Sequence, residues 1–251
     1  MRRPRVKHVL AVVVAAVLGY GLGIGQGFVV RPPLVVGQDA VYPSSDARVQ
    51  LDDVGGRVLD IRPVAGEAQV VLVFYPGGLV RPQAYEWLGH ALASQGVETV
   101  IPEMPVDLAV LGIDRADALI DHYAQGRPVV LAGHSLGGAM AASYAAKHPE
   151  RLRGLLLMGA YPANDTSLAS ASFKALSLLA ERDNVAKPDA VRGGLARLPQ
   201  GSELVVIPGA VHAFFGRYGP QAGDGVPTVA RVDAERSIVA AVGPYLDSVA
   251  R

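Results

Sequence analysis

The sequence has no cysteine. That excludes a disulfide framework, a thiolate metal site and a cysteine nucleophile. It has no net charge, with 23 Lys and Arg set against 23 Asp and Glu. The basic excess that carries nucleic-acid binding is therefore missing. Charged residues make up only 18% of the chain and hydrophobic ones 50%, which excludes global disorder and allows a full core. No Gly-x-x-x-x-Gly-Lys-Ser/Thr segment occurs, so a phosphate-cradling loop of that kind is absent. The glycines between Gly19 and Gly27 lie in an apolar run and make no dinucleotide fingerprint. No His/Asp/Glu cluster has metal-ligand spacing. Neither cofactor nor metal is expected.

The charge that is present is uneven. Arg2, Arg3, Arg5 and Lys7 stand near the amino terminus with no acid among residues 1–30, which leaves the remainder mildly acidic. Val9–Val30 then carries no charged side chain. It is as long as the ~20 residues a helix needs to cross a bilayer core. Basic residues ahead of such a stretch hold that end in the cytoplasm, so the rest of the chain is expected outside it. Residues 1–30 read either as an uncleaved signal anchor or as a signal peptide. In the second case Val9–Leu18 is the apolar region and Gly19–Gly27 the cleavage region, although no Ala-x-Ala site stands there. The protein is extracytoplasmic on both readings, held to the membrane on the first and secreted on the second. Residues 31–46, with Arg31-Pro32-Pro33 and Pro43-Ser44-Ser45, read as a linker. Residues 47–251 read as one domain.

Within 47–251 strand-length apolar runs alternate with helix-length segments. The runs are Arg57–Arg62, Gln69–Tyr75, Val97–Ile101, Pro128–Ala132, Gly154–Met158, Ala175–Leu179 and Glu203–Ile207. Most lack polar alternation, as strands buried on both faces do. Helices are expected at Pro82–Gln95, about Val106–Tyr123, Leu136–His148, Pro188–Leu198 and Val232–Val249. This order implies an α/β domain with a mostly parallel sheet of about 7–8 strands. In such sheets chemistry gathers beyond the carboxyl ends of the strands.

Beyond the strand Pro128–Ala132 the chain reads Gly133-His134-Ser135-Leu136-Gly137-Gly138, a G-x-S-x-G elbow between a strand and a helix. The turn pushes the serine hydroxyl above the sheet, and flanking glycines are needed because side chains would collide with neighbouring backbone. A serine hydroxyl attacks only when a base takes its proton and an acid orients that base. In this arrangement the chain order is Ser, acid, His. After Ser135 there are two histidines. His148 stands at the far end of the elbow helix, so His212, beyond the last strand, is the candidate base. His134 is adjacent to the serine and points to the opposite side; it reads as structural. Asp183, in the turn after Ala175–Leu179, is the candidate acid, with Glu181 its nearest rival and Asp165 and Asp189 others. The oxyanion needs backbone donors. Leu136 N–H supplies one, and the loop Tyr75-Pro76-Gly77-Gly78-Leu79 supplies the other through Gly78, with Leu79 second.

With these residues placed, the chain resembles the alpha/beta-hydrolase superfamily from about Val70 to Leu246. Within it the resemblance is to small cap-less bacterial hydrolases related to dienelactone hydrolase, the group called alpha/beta hydrolase fold-5. It rests on Phe74–Val80, Gly133–Gly138, Arg182-Asp183 and Gly209–Gly225. It implies the alpha/beta-hydrolase fold, and cofactor-free hydrolysis of a carboxylic ester or thioester through a Ser-His-Asp acyl-enzyme route. The partner is then a small-molecule ester. Dienelactone hydrolase itself uses cysteine where this chain has Ser135, so its substrate is not implied. Relatives often begin the acid turn with glycine where Ala180 stands here. Arg81 and Arg217 occupy places that are acidic in relatives. They read as solvated surface arginines, with the pocket mouth as the alternative. The short connection from Gly159 to Lys174 leaves no room for a large cap. Tyr161, Phe214 and Phe215 are expected in the pocket wall or the core. An acyltransferase with the same triad, or a catalytically silent binding module on a membrane anchor, are the alternative functions.

Overall fold

The computed structural model describes residues 6–26 and 46–251. Arg2, Arg3, Arg5, the end of the apolar stretch at 27–30 and the expected linker up to residue 45 lie outside the described residues. The chain divides into two compact units, Met1–Arg31 and Pro32–Arg251. In the first, Val6–Gln26 forms the helix α1. Its described side chains, those of residues 7, 8 and 11–21, are exposed. Among the described residues no helix is long and apolar enough to cross a membrane.

The second unit contains one eight-stranded sheet. Its strands are β1 (Ala47–Asp53), β2 (Arg57–Pro63), β3 (Val70–Tyr75), β4 (Val97–Pro102), β5 (Val129–His134), β6 (Gly154–Met158), β7 (Lys174–Ala180) and β8 (Glu203–Ile207). Its helices are α2 (Glu86–Ala93), α3 (Arg115–Tyr123), α4 (Leu136–Lys147), α5 (Pro188–Gly194) and α6 (Arg231–Ala250). The spatial order is β1-β2-β4-β3-β5-β6-β7-β8. From β4 to β8 all neighbours are parallel, whereas β1 and β2 run antiparallel to their neighbours. The seven expected strands are present, and the sheet is mostly parallel as expected.

β3 shows why the central runs lack polar alternation. Val70, Leu72 and Phe74 pack on one face with Leu88 of α2 and Ile238 and Leu246 of α6. Val71, Val73 and Tyr75 pack on the other with Leu119 of α3 and Tyr144 of α4. A strand covered on both faces needs apolar side chains at every position. Truncating one such residue to alanine costs about 2–5 kcal/mol.

The helices expected over Pro82–Gln95 and Pro188–Leu198 are α-helical over Glu86–Ala93 and Pro188–Gly194 and otherwise mostly 3-10 turns, and two elements differ more. β1 is additional to the expected strands. Its residues are mostly exposed, and it is held at the sheet edge by main-chain pairing to β2, so it carries no burial pattern. The continuous helix expected over Val106–Tyr123 is broken. Pro105–Asp107 and Ala109–Leu111 are short 3-10 turns, and only Arg115–Tyr123 is α-helix. Val106 and Asp107 adopt left-handed backbone angles, φ 46° and 58°. The Asp107 carbonyl accepts the Leu79 N–H at 2.8 Å, so a tertiary hydrogen bond holds a conformation that a helix would not allow. Residues 159–173, between β6 and β7, contain no helix or strand; no large cap stands there.

Candidate active site

β5 delivers the chain to Ser135 and α4 leaves from it. Ser135 sits at φ 53°, ψ −123°, a conformation L residues rarely adopt and that persists only when its surroundings fix it. Its N–H donates to the Met158 carbonyl at 3.0 Å, and its carbonyl accepts the Ala139 N–H at 3.1 Å. The glycines are sterically obligatory. A Cβ on Gly133 would stand 2.5 Å from the Gly137 carbonyl carbon, and one on Gly137 would stand 2.2 Å from the Tyr75 carbonyl oxygen. The loop after β3 thus lies directly on the first turn of the elbow helix.

Asp183 and His212 come from turns after β7 and β8, both fully buried. His212 Nδ1 lies 2.7 Å from Asp183 Oδ2. A carboxylate only accepts, so Nδ1 carries the hydrogen and the Nε2 lone pair is left to act. His212 Nε2 is buried without a hydrogen-bond partner. Asp183 is itself held, its Oδ1 accepting the N–H groups of Val185 at 2.8 Å and Ala186 at 2.7 Å. The Asp183 N–H donates to the Ala180 carbonyl at 3.2 Å. Ala180 has no positive φ, so this turn closes without the glycine relatives often use. Asp224 holds the other partner, its carboxylate accepting the N–H groups of His212 at 3.1 Å and Ala213 at 2.9 Å.

The rival groups have other work or lie elsewhere. Glu181 Oε2 accepts the Gly209 N–H at 2.7 Å, bracing the loop before His212 from outside the pair. Asp165 is exposed beside Thr166, and Asp189 lies exposed in the first turn of α5. His148 ends α4 and stacks on Tyr144. His134 is buried, with its ring centroid 4.4 Å from that of His212. Burial first, and the neighbouring His212 second, hold its pKa well below the usual 6.5. It is a neutral ring beside the base.

The loop after β3 has one uncommitted N–H. Gly77 N–H donates to Tyr85 Oη at 2.9 Å, Leu79 N–H to the Asp107 carbonyl and Val80 N–H to the Gly77 carbonyl. Leu79, the second choice for the oxyanion donor, is thereby corrected: its N–H is already used. A Cβ on Gly78 would stand 3.2 Å from Leu136 Cδ2, so Gly78 and Leu136 adjoin. Leu136 is the first residue of α4, where main-chain N–H groups have no partner within the helix and the helix dipole favours negative charge.

A cavity of about 360 Å³ opens on Ser135, lined also by Leu136, Gly159, Tyr161, Ala163 and Val185. A Cβ on Gly159 would stand 3.0 Å from His212 Nδ1 and 3.2 Å from Asp183 Oδ2. The buried pair therefore lies against the wall that Ser135 shares. Tyr161 lines the cavity as expected. Phe215 is buried against His134, and Phe214 packs under the Arg231 guanidinium at 4.5 Å. Arg217 is a correction: it is neither solvated nor at the mouth. It is buried and doubly hydrogen-bonded to Glu235 at 2.9 and 2.8 Å. Arg81 is exposed. Among the described residues no group of three or more His, Asp or Glu could hold a metal ion.

An eight-stranded sheet in this order, with a serine elbow after β5 and no large cap between β6 and β7, defines a class of hydrolase scaffold. Residues 71–236 match the alpha/beta hydrolase family, and the chain belongs to it. The crystal structure of a predicted CIB-like hydrolase from Thermoplasma acidophilum is similar, with a TM-score of 0.63 at 14% identity, over 80% of this chain and 97% of that one. At that identity the likeness concerns the fold. No curated protein matches the chain. Membership of the family supports a hydrolase function in general.

Proposed function

We propose that the protein is a serine hydrolase that cleaves a carboxylic ester or thioester through an acyl-enzyme. One observation carries this reading: a fully buried Asp183–His212 pair, its Nε2 unpartnered, lies against the same cavity wall as a serine held at φ 53°. Ser135 Oγ attacks the carbonyl carbon while His212 Nε2 takes its proton. The oxyanion forms against the Gly78 and Leu136 N–H groups. His212 returns the proton to the leaving oxygen or sulfur, and the C–O or C–S bond breaks. Water then repeats the sequence on the acyl-serine, releasing acid and free Ser135. Asp183 keeps the imidazole in the tautomer that can accept.

The walls of this cavity are uncharged and mostly small. With no cap above them, they suit a neutral acyl group of short or medium length. Fluorophosphonate labelling of Ser135, followed by p-nitrophenyl esters of rising chain length, tests the reading. Labelling of the wild type but not of Ser135→Ala is expected, with best turnover on short chains. Full activity in Ser135→Ala with no labelling would sink it.

We propose also that this chemistry takes place outside the cytoplasm. The support is the run of basic residues ahead of the uncharged Val9–Val30. A carboxyl-terminal alkaline phosphatase fusion should be active in cells. An inactive phosphatase fusion beside a fluorescent cytoplasmic reporter fusion would refute the placement.

A further inference from the structure

The reaction proposed above uses Ser135, Asp183, His212 and two main-chain N–H groups, and it gives no task to two buried side chains that adjoin them. Tyr85 and His134 are both fully buried. They meet at 2.8 Å, Tyr85 Oη to His134 Nδ1. The same phenol oxygen accepts the Gly77 N–H at 2.9 Å. Only His134 Nδ1 stands ready to accept the phenol hydrogen, which would be buried without a partner if Nδ1 donated instead, so the phenol donates to Nδ1. His134 is then the Nε2–H tautomer. Burial raises the Tyr85 pKa and lowers that of His134, so both stay neutral.

Two contacts give this pair its meaning. A Cβ on Gly77 would stand 2.9 Å from Tyr85 Oη and 3.0 Å from His134 Nδ1, so the loop backbone rests directly on the pair. The residue after Gly77 is Gly78, whose N–H is the uncommitted one. On its other side the His134 ring stacks on His212, with centroids 4.4 Å apart and planes tilted by 43°. One imidazole thus abuts the base and, through a phenol, the loop that carries the oxyanion donor.

Resting on the serine-hydrolase reading, we propose that Tyr85 and His134 are a positioning pair, setting Gly78 N–H and His212 in register with each other. Negative charge develops at Gly78 and positive charge at His212 in the same step. A neutral ring between the two holds both without opposing either charge. The pair therefore acts on the transition state rather than on substrate binding.

The test uses the whole protein and counts competent sites by fluorophosphonate titration of Ser135. Tyr85→Phe keeps the ring packed on Phe74, 4.8 Å away between centroids, and removes only the oxygen. Its kcat per titrated site should fall about 10–100-fold, below the loss of a whole oxyanion donor, with KM within about threefold. Affinity for a trifluoromethyl ketone, which forms an oxyanion on Ser135, should fall by a similar factor. His134→Leu should behave alike, and the double variant should be at most about threefold worse than either single, as expected of one unit. His134→Asn, which offers an acceptor near the Nδ1 position, should recover most of the loss. A kcat per titrated site within threefold of wild type in Tyr85→Phe overturns the proposal. So does a loss confined to KM, or one that disappears on titration because fewer sites are folded. If the wild type itself is not labelled and Ser135→Ala stays active, the serine-hydrolase reading has failed, and the positioning role falls with it.

Discussion

Replacing Asp183 by asparagine isolates the orientation of the base. Asp183 Oδ1 accepts two main-chain N–H groups, from Val185 and Ala186, and Oδ2 faces His212 Nδ1. An asparagine has one oxygen and one NH2. Turning the NH2 towards Val185 and Ala186 would set it against two fixed donors, whereas turning it towards His212 opposes only one hydrogen. That hydrogen can leave by a change of tautomer. The amide oxygen therefore stays with the two N–H groups, and the NH2 donates to a deprotonated Nδ1. The proton then sits on Nε2, where the base should be free to accept, and the histidine cannot take the Ser135 proton. We expect kcat to fall by about 10³–10⁴, or about 4–5.5 kcal/mol at 1.36 kcal/mol per decade. Stability should change little, because the amide oxygen preserves both main-chain bonds. The assay is p-nitrophenyl acetate hydrolysis per titrated serine, with Glu181→Gln as the comparison. The amide oxygen of that glutamine can still accept from Gly209 N–H, so the variant should stay within about threefold of wild type. Near wild-type activity in Asp183→Asn together with a collapse in Glu181→Gln would refute the reasoning and move the acid to Glu181.

Three further outcomes follow from the packing and charge. Gly137→Ala places a Cβ 2.2 and 2.3 Å from the main-chain oxygens of Tyr75 and Pro76; neither can swing away, so denaturant titration should show a loss on the order of 3 kcal/mol or more, and a loss under 1 kcal/mol would contradict the geometry. Arg217→Met leaves Glu235 buried without its doubly bonded partner and should cost about 3–5 kcal/mol, read as a lower denaturant midpoint; an unchanged midpoint would refute it. Asp60 is fully buried, and its pKa is raised from 3.8 to about 6, by burial first, against the opposing hydrogen bond from Arg62, with the charges of Glu98 and Asp52 adding to the rise. A carboxyl with a raised pKa binds its proton more tightly when folded, so its contribution to stability declines as pH rises from about 4 to about 6, by up to about 3 kcal/mol. The stability difference between pH 4 and pH 7 should be smaller in Asp60→Asn; equal pH slopes in the two proteins would count against it.

The parts of the fold legible in the sequence are those whose cause is local. The runs at Gln69–Tyr75 and Pro128–Ala132 announce strands because both faces are buried, and the elbow is legible because Gly133 and Gly137 are required at fixed offsets from Ser135. The turns after β7 and β8 direct attention to Asp183 and His212, and the structure brings those two side chains together. What escapes such reading is long-range. β1 is held by main-chain pairing at an exposed edge, and the break at Val106–Asp107 by a bond to Leu79. Tyr85 meets His134 across 49 positions of chain, and no sequence period encodes such a meeting. Asp224 is legible only as a turn residue in the glycine-rich stretch Gly219–Gly225, although it fixes the backbone of His212.

The bare connection between β6 and β7 has a consequence for design. Its apex at Asn164 and Asp165 is exposed, while Leu168 and Phe173 further along are buried. Arg197 pins its start by bonding the Pro162 carbonyl. A helical module spliced in at the apex would leave these anchors in place. Asp183 is fixed by Val185 and Ala186 within its own turn, and His212 by Asp224 further along the stretch after β8, so these bonds do not come from that loop. Selectivity and turnover are thus encoded in separable stretches of chain: a grafted roof would choose which acyl groups reach the serine and leave the proton traffic beneath it unaltered.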